Sequence, residues 1–172
     1  MLRIHIVGRK NSGKTTLIVD LVRELSAGGL RVGTVKHTHH HHELDTPGKD
    51  SFRHREAGAA AVGILSRGMD AVFRPPRPEQ RHSDRYAAFE AVFADCDLVL
   101  VEGDSTTTAP KVEVWRRATD QPPLALSDHS ILAVISDDSL DDCETSPPVW
   151  PRGDISQLAQ QLQQLAAEQA CE

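Results

Sequence analysis

A chain of 172 residues, 39% of them hydrophobic, with 25 acidic against 19 basic side chains and a net charge of −6, carries enough apolar material for one folded core. The acidic balance, with no long basic face, excludes a nucleic-acid backbone as the main partner. Cys96, Cys143 and Cys171 are too few and too scattered for a disulfide frame or a C-x-x-C metal site, and no apolar run approaches membrane-spanning length. The N-terminus enters a strand pattern directly, so a cytoplasmic protein with no membrane segment, forming one domain over residues 1–172, is expected.

Ile4-His5-Ile6-Val7 reads as a buried strand that runs into Gly8-Arg9-Lys10-Asn11-Ser12-Gly13-Lys14-Thr15, the G-x-x-x-x-G-K-[ST] spacing of a phosphate-binding loop. Glycines at the first and sixth positions let the backbone wrap an anion and present its N–H groups. Leu17, Ile18, Leu21, Val22 and Leu25 then repeat at helical spacing, with Asp20, Arg23 and Glu24 opposite, and that helix aims its positive end at the same spot. In this pattern Lys14 reaches the β- and γ-phosphates and the Thr15 hydroxyl is a Mg²⁺ ligand; Lys10 is a candidate for a further phosphate contact.

Ser26-Ala27-Gly28-Gly29 ends the helix, and residues 30–35 alternate as a second strand, implying a right-handed parallel crossover. The stretch Lys36-His37-Thr38-His39-His40-His41-His42-Glu43-Leu44-Asp45 leaves the carboxyl end of that strand, where open parallel sheets line their ligand crevice. Its histidines admit two readings, a flexible Zn²⁺ or Ni²⁺ tract as in a metallochaperone GTPase, or residues of the nucleotide crevice. Thr46-Pro47 predicts a cap and first helical position, with a polar helix over residues 49–57 closed by Gly58. Lys49 and Arg53, one turn apart, could face anionic phosphate, and Asp45 and Asp50 could orient a metal-bound water or the attacking nucleophile. Residues 60–65 predict a third strand and Ala71-Val72-Phe73 its hairpin partner; Arg74-Pro75-Pro76-Arg77-Pro78 predicts a loop. Ser83 predicts the cap of a helix whose Tyr86, Phe89, Val92 and Phe93 face the core.

Asp97-Leu98-Val99-Leu100-Val101-Glu102-Gly103 is a fully buried strand that delivers an acid at its end. One carboxylate near the loop threonine can orient the waters of Mg²⁺, so Glu102 is the candidate for that Walker-B position. Residues 110–116 and 131–135 predict two more strands. Ser136-Asp137-Asp138 follows the second of them; an aspartate there could accept from the guanine N1–H and amine, or simply make a turn. Asp154-Ile155-Ser156-Gln157 reads as a capping box, and Ile155, Leu158, Leu162 and Leu165 give the last helix one apolar stripe. The fold class expected is α/β, a Rossmann-like P-loop NTPase with a mostly parallel sheet flanked by helices.

The residues from Gly8 to Thr16, Lys36-His37, Asp45, Gly48-Lys49-Asp50-Ser51 with Arg53, Ala57-Gly58-Ala59, Val101-Glu102-Gly103 and Pro110-Lys111-Val112-Glu113 together closely resemble the MobB family, the GTP-binding accessory proteins of molybdopterin-guanine dinucleotide biosynthesis. The resemblance spans roughly residues 2 to 137. It implies a homodimeric GTP-binding protein with weak GTP hydrolysis that assists the molybdenum cofactor guanylyltransferase, with molybdopterin itself a possible further ligand. Family roles carry over to Gly13, Lys14, Thr15 and Thr16 for phosphate and Mg²⁺ and to Glu102 for the metal shell; Gly8, Asn11 and Ser12 are candidates as the rest of the phosphate loop, and Lys36, His37, Asp45, Lys49, Asp50 and Arg53 as residues of the segment expected to reach across the site. Asp104-Ser105 departs from the aromatic and lysine that many relatives carry there, and no Asn-Lys-x-Asp guanine motif is present. A small-molecule kinase shares the same start, and Arg74, Arg77, Arg81 and Arg85 are then its lid candidates.

Overall fold

The computed structural model describes residues 1–38, 43–75, 85–140 and 147–170. The chain forms two compact units, one made of residues 1–38 and 90–172 and the other of residues 39–89.

The first unit is built on a six-stranded sheet. Strands β1 (Arg3–Val7) and β2 (Val32–Lys36) precede the second unit; β5 (Leu98–Glu102), β6 (Lys111–Val114), β7 (Ile131–Ile135) and β8 (Val149–Trp150) follow it. Their order across the sheet is β2-β5-β1-β6-β7-β8, and every neighbouring pair is parallel. The connection from β1 through helix α1 (Lys14–Ala27) to β2 therefore skips a place that β5 later fills. Parallel strands need cover on their faces, and this is why β5 up to its last residue and β7 read as continuous apolar runs and β1 does so from Ile4 except at His5.

Leu17, Ile18, Leu21 and Leu25 on α1 pack with Leu158 and Leu162 of helix α3 (Ile155–Ala170) against Ile4, Ile6, Leu98 and Leu100. Each such side chain contributes roughly 1.5–3 kcal/mol on burial, so the stripes of α1 and α3 fix both helices to the sheet. The α3 stripe is thus core. Asp154 caps this helix as its sequence predicts, its carboxylate Oδ1 accepting from the Gln157 N–H at 2.9 Å.

Two features of this unit go beyond the sequence pattern. Lys111 and Glu113 of β6 are buried as deeply as their apolar neighbours, which alternation alone does not predict. The two-residue strand β8 is too short to leave a periodic signal. In the unit of residues 39–89, the helix predicted after Ser83 is instead a 3-10 turn at Arg85–Phe89, with Ser83 itself outside the described residues. Of its four expected core residues only Tyr86 is buried; Phe89 and Val92 are exposed, and Phe93 lays its ring on Gly33, where a Cβ would meet the ring at 2.6 Å.

The second unit holds helix α2 (Asp50–Glu56) and an antiparallel hairpin of β3 (Val62–Leu65) and β4 (Asp70–Phe73). Helix α2 starts at Asp50, so Thr46-Pro47 lies ahead of it and is not its cap; the Asp45 carboxylate orders this approach, accepting from the Thr46 N–H at 2.9 Å and the Ser51 hydroxyl at 2.8 Å. Glu43 and Arg55 tie the two ends of the same segment together at 2.7 Å. Among the described residues no helix is long and apolar enough to cross a membrane.

Candidate functional site

The loop between β1 and α1 has the backbone that its glycines predict. Gly8 adopts φ 139°, Asn11 φ 63° and Gly13 φ 97°, all in the left-handed half of the map where a Cβ is costly. Gly8 is doubly constrained, since a Cβ there would collide with the Val114 carbonyl oxygen and stand 2.9 Å from the Ser12 hydroxyl. Any larger residue at position 8 would push the loop off β6. Gly13 is the N-cap of α1, so the first N–H groups of that helix open toward the concave side of the loop.

Lys14 arches back over this loop. Its ammonium donates to the Gly8 carbonyl at 2.8 Å and the Arg9 carbonyl at 2.6 Å, and lies 3.5 Å from the Ser12 hydroxyl. Burial holds the ammonium below the usual lysine range, while Glu102 and Glu113 pull it back upward. The side chain is thus confined to the loop, with two carboxylates near its ammonium.

Thr15 and Glu102 are 87 positions apart in sequence, yet the Thr15 hydroxyl donates to Glu102 Oε1 at 2.8 Å. Register explains the meeting: β5 lies beside β1 with Ile6 opposite Glu102, so the acid arrives at the level where the loop begins. A hydroxyl and a carboxylate side by side are hard oxygen donors, the set that suits Mg²⁺ among the common cations. Thr15 and Glu102 fit such an ion, the threonine as direct ligand and the glutamate through its waters.

Lys36 ends β2 directly opposite Glu102, and the His37 N–H donates to the Glu102 carbonyl at 2.9 Å. Thr15, Lys36 and Glu102 together form the polar end of a cleft of about 430 Å³ whose walls include Ile18, Val22 and Leu100. Lys10 and Thr16 are exposed on the loop and on the first turn of α1.

The remaining sequence candidates belong to the second unit. Asp45 is buried there with Oδ1 engaged by Thr46 and Ser51 and with no hydrogen-bond partner for Oδ2 among the described residues; Lys49, Asp50 and Arg53 are exposed at and along α2. His39, His40, His41 and His42 lie outside the described residues, as do Arg77 and Arg81 of the kinase-lid reading; Arg74 and Arg85 are exposed. Among the described residues no three His, Cys, Asp or Glu side chains form a metal-holding group.

Four further groups lie around the loop that the sequence does not single out as site candidates, Glu113 among them although it falls in a stretch that carries the family resemblance. Arg116, just after β6, donates from Nε and a terminal nitrogen to the Asn11 carbonyl at 3.1 and 2.7 Å, fixing the loop's strained left-handed residue. Glu113, wholly buried, accepts from the Leu124 and Ala125 N–H groups at 2.9 Å each, and burial raises its carboxyl above the usual range. His5, also wholly buried, brings Nδ1 to 3.3 Å from the Gly103 carbonyl oxygen, and burial lowers its pKa, favouring the neutral ring. Arg152 sets its guanidinium 3.7 Å from where a Gly13 Cβ would be. The predicted guanine acceptors hold backbone: Asp137 Oδ1 accepts from the Gly153 N–H at 2.9 Å and Asp138 Oδ2 from the Arg117 N–H at 2.7 Å.

Comparison with known proteins follows the same lines. The model of the family described as Molybdopterin guanine dinucleotide synthesis protein B matches residues 3–137. The molybdopterin-guanine dinucleotide biosynthesis adapter protein of Escherichia coli (strain K12) is 36% identical over 127 residues, covering 73% of both chains. The protein of the same name from Haemophilus influenzae is 38% identical over 132 residues, 76% of this chain and 72% of that one. The crystal structure of Bacillus subtilis MobB aligns over 95% of this chain and 98% of its own with a TM-score of 0.72 and 26% identity.

Proposed function

This chain belongs to the MobB family, molybdopterin guanine dinucleotide synthesis protein B, and from that premise we propose that it binds GTP with Mg²⁺ on the loop at residues 8–15 and acts as an adapter for the guanylyltransferase that forms molybdopterin-guanine dinucleotide. The observation that carries the nucleotide reading is the Thr15–Glu102 hydrogen bond at 2.8 Å beside the Lys14 ammonium. A cation and a pair of hard oxygen donors converge there on a ring of backbone N–H groups, which is what a polyphosphate with its metal needs.

The work of this site is binding and charge neutralisation. Lys14 turns from the Gly8 and Arg9 carbonyls to phosphate oxygens, the helix N–H groups hold the chain of phosphates, and Thr15 with Glu102 would hold Mg²⁺, which supplies further neutralisation when bound. No described arginine is assigned to the terminal phosphate, so hydrolysis by this chain alone is slow and its contribution is to a partner's reaction. Lys36 at the end of β2 and His37 after it, beside Glu102, complete the set on the sheet unit, and the protein acts as a homodimer in the cytoplasm.

Equilibrium binding of fluorescent GTP and ATP in the presence of Mg²⁺ tests the proposal. Lys14→Ala should lower GTP affinity at least 100-fold with the melting temperature unchanged, because its bonds are to loop carbonyls and none is in the core. Affinity equal to wild type would remove Lys14 from the site. Thr15→Ala and Glu102→Gln should each weaken binding with Mg²⁺ and leave binding in EDTA unchanged. Co-purification with the guanylyltransferase, and stimulation of dinucleotide formation by the wild-type chain but not by Lys14→Ala, test the adapter part.

A further inference from the structure

Arg152 lies beyond the segment that the family model matches and beyond every sequence motif, yet its guanidinium reaches the phosphate loop. Its terminal nitrogen is 3.7 Å and its Nε 3.9 Å from the position a Cβ on Gly13 would occupy. The turn that carries it is held on both sides: the Gly153 N–H donates to Asp137 Oδ1 at 2.9 Å, and Asp154 caps α3 immediately afterwards. Arg152 is half-buried, and it forms no ion pair with any described carboxylate. A half-buried guanidinium this close to the phosphate loop is placed to meet an anion bound there.

The sheet order says which part of the anion it meets. Glu102 comes from β5, on one side of β1, whereas Arg152 follows β8, on the other side. Gly13 precedes the first helical residue and Thr15 lies in the first turn, and with their strands on opposite sides of β1, Arg152 and the Thr15–Glu102 pair approach the loop from opposite flanks. The metal of a bound triphosphate bridges its two outer phosphates. We propose that Arg152 binds the opposite end, the phosphate nearest the nucleoside, and is therefore a nucleotide-contacting residue that acts independently of Mg²⁺. This rests on the GTP reading above and adds to it a second cation with a different phosphate assignment from that of Lys14.

The assignment is tested by comparing GTP and GDP binding to wild type, Arg152→Ala, Arg152→Gln and Arg152→Lys, each with Mg²⁺ and with EDTA. Loss of the α-phosphate contact should weaken GTP and GDP by the same factor, about tenfold, in both buffers, with Arg152→Lys recovering part of it. Arg152→Gln, shorter than arginine and uncharged but still polar, should match Arg152→Ala and serves if the alanine variant melts early. Affinities within twofold of wild type, a loss confined to GTP, or a loss that vanishes in EDTA would each overturn the proposal. A wild-type chain that binds neither nucleotide overturns the GTP reading and this proposal with it; a wild type that binds while Arg152→Ala and Arg152→Gln bind equally well overturns this proposal alone.

Discussion

The sheet unit and the unit of residues 39–89 are held by different forces. In the first, Ile4, Ile6, Leu17, Leu100 and Leu162 are fully buried, and the charged groups that go inside with them are matched, Lys111 by Asp128 at 2.8 Å and Glu113 by two backbone N–H groups. In the second, α2 has no buried residue, and the hairpin leaves Leu65, Met69 and Val72 88%, 74% and 71% exposed. Val62 and Tyr86 are its buried apolar side chains among the described residues, and short-range polar contacts add to them, Asp45 with Thr46 and Ser51, and Glu43 with Arg55. Global stability therefore resides in the sheet unit, and the small unit opens locally at lower cost.

The steepest test of this contrast is Leu100→Ala. It should lose about 3–4 kcal/mol in denaturant unfolding, because a fully buried side chain leaves a cavity the parallel sheet cannot close. Asp128→Asn should cost about 2 kcal/mol at neutral pH, since it removes the paired carboxylate from an ammonium that is only 4% exposed and leaves it the Ser105 and Thr107 carbonyls. Lys111 holds the Asp128 carboxyl at about 2, below its ordinary value of 3.8. That stabilisation is fully present above the ordinary value and disappears as pH falls through about 2, so wild type should lose its advantage over Asp128→Asn across this window in acid melts. Glu113 carries the opposite sign: its raised value means that stability is lost as pH rises through it, and Glu113→Gln should flatten the stability curve above the ordinary glutamate range.

Smaller effects belong to the small unit. Asp45→Ala should cost about 1 kcal/mol, read most clearly as faster amide exchange over residues 43–56 with exchange in β1 and β5 unchanged. Leu65→Ser should change stability by less than about 0.5 kcal/mol. A large loss from either would mean that the two units unfold as one.

The comparison also explains what could be read in advance. Strand β1, the loop and α1 were legible because backbone geometry, helical period and phosphate chemistry all demand the same residues in one contiguous stretch, and β5 was legible because a doubly covered strand must be apolar until its last residue, Glu102. Helix α2 was legible to within one residue at each end, but its cap was not, since Thr46-Pro47 looks like a cap while Lys49 occupies that position and Asp45 orders the approach. The predicted helix after Ser83 failed because its apolar spacing also suits a 3-10 turn followed by a lone aromatic, Phe93, against Gly33.

By itself the amino-acid order determined the phosphate loop, the acid at the end of β5 and the family, because each depends on neighbours along the chain. Only the tertiary structure decided that β5 inserts between β2 and β1, that Lys111 and Glu113 are interior, and that Arg116 and Arg152 reach the loop. These are contacts between segments far apart in the chain, fixed by sheet register and by the matching of buried charge, and no local period encodes either one.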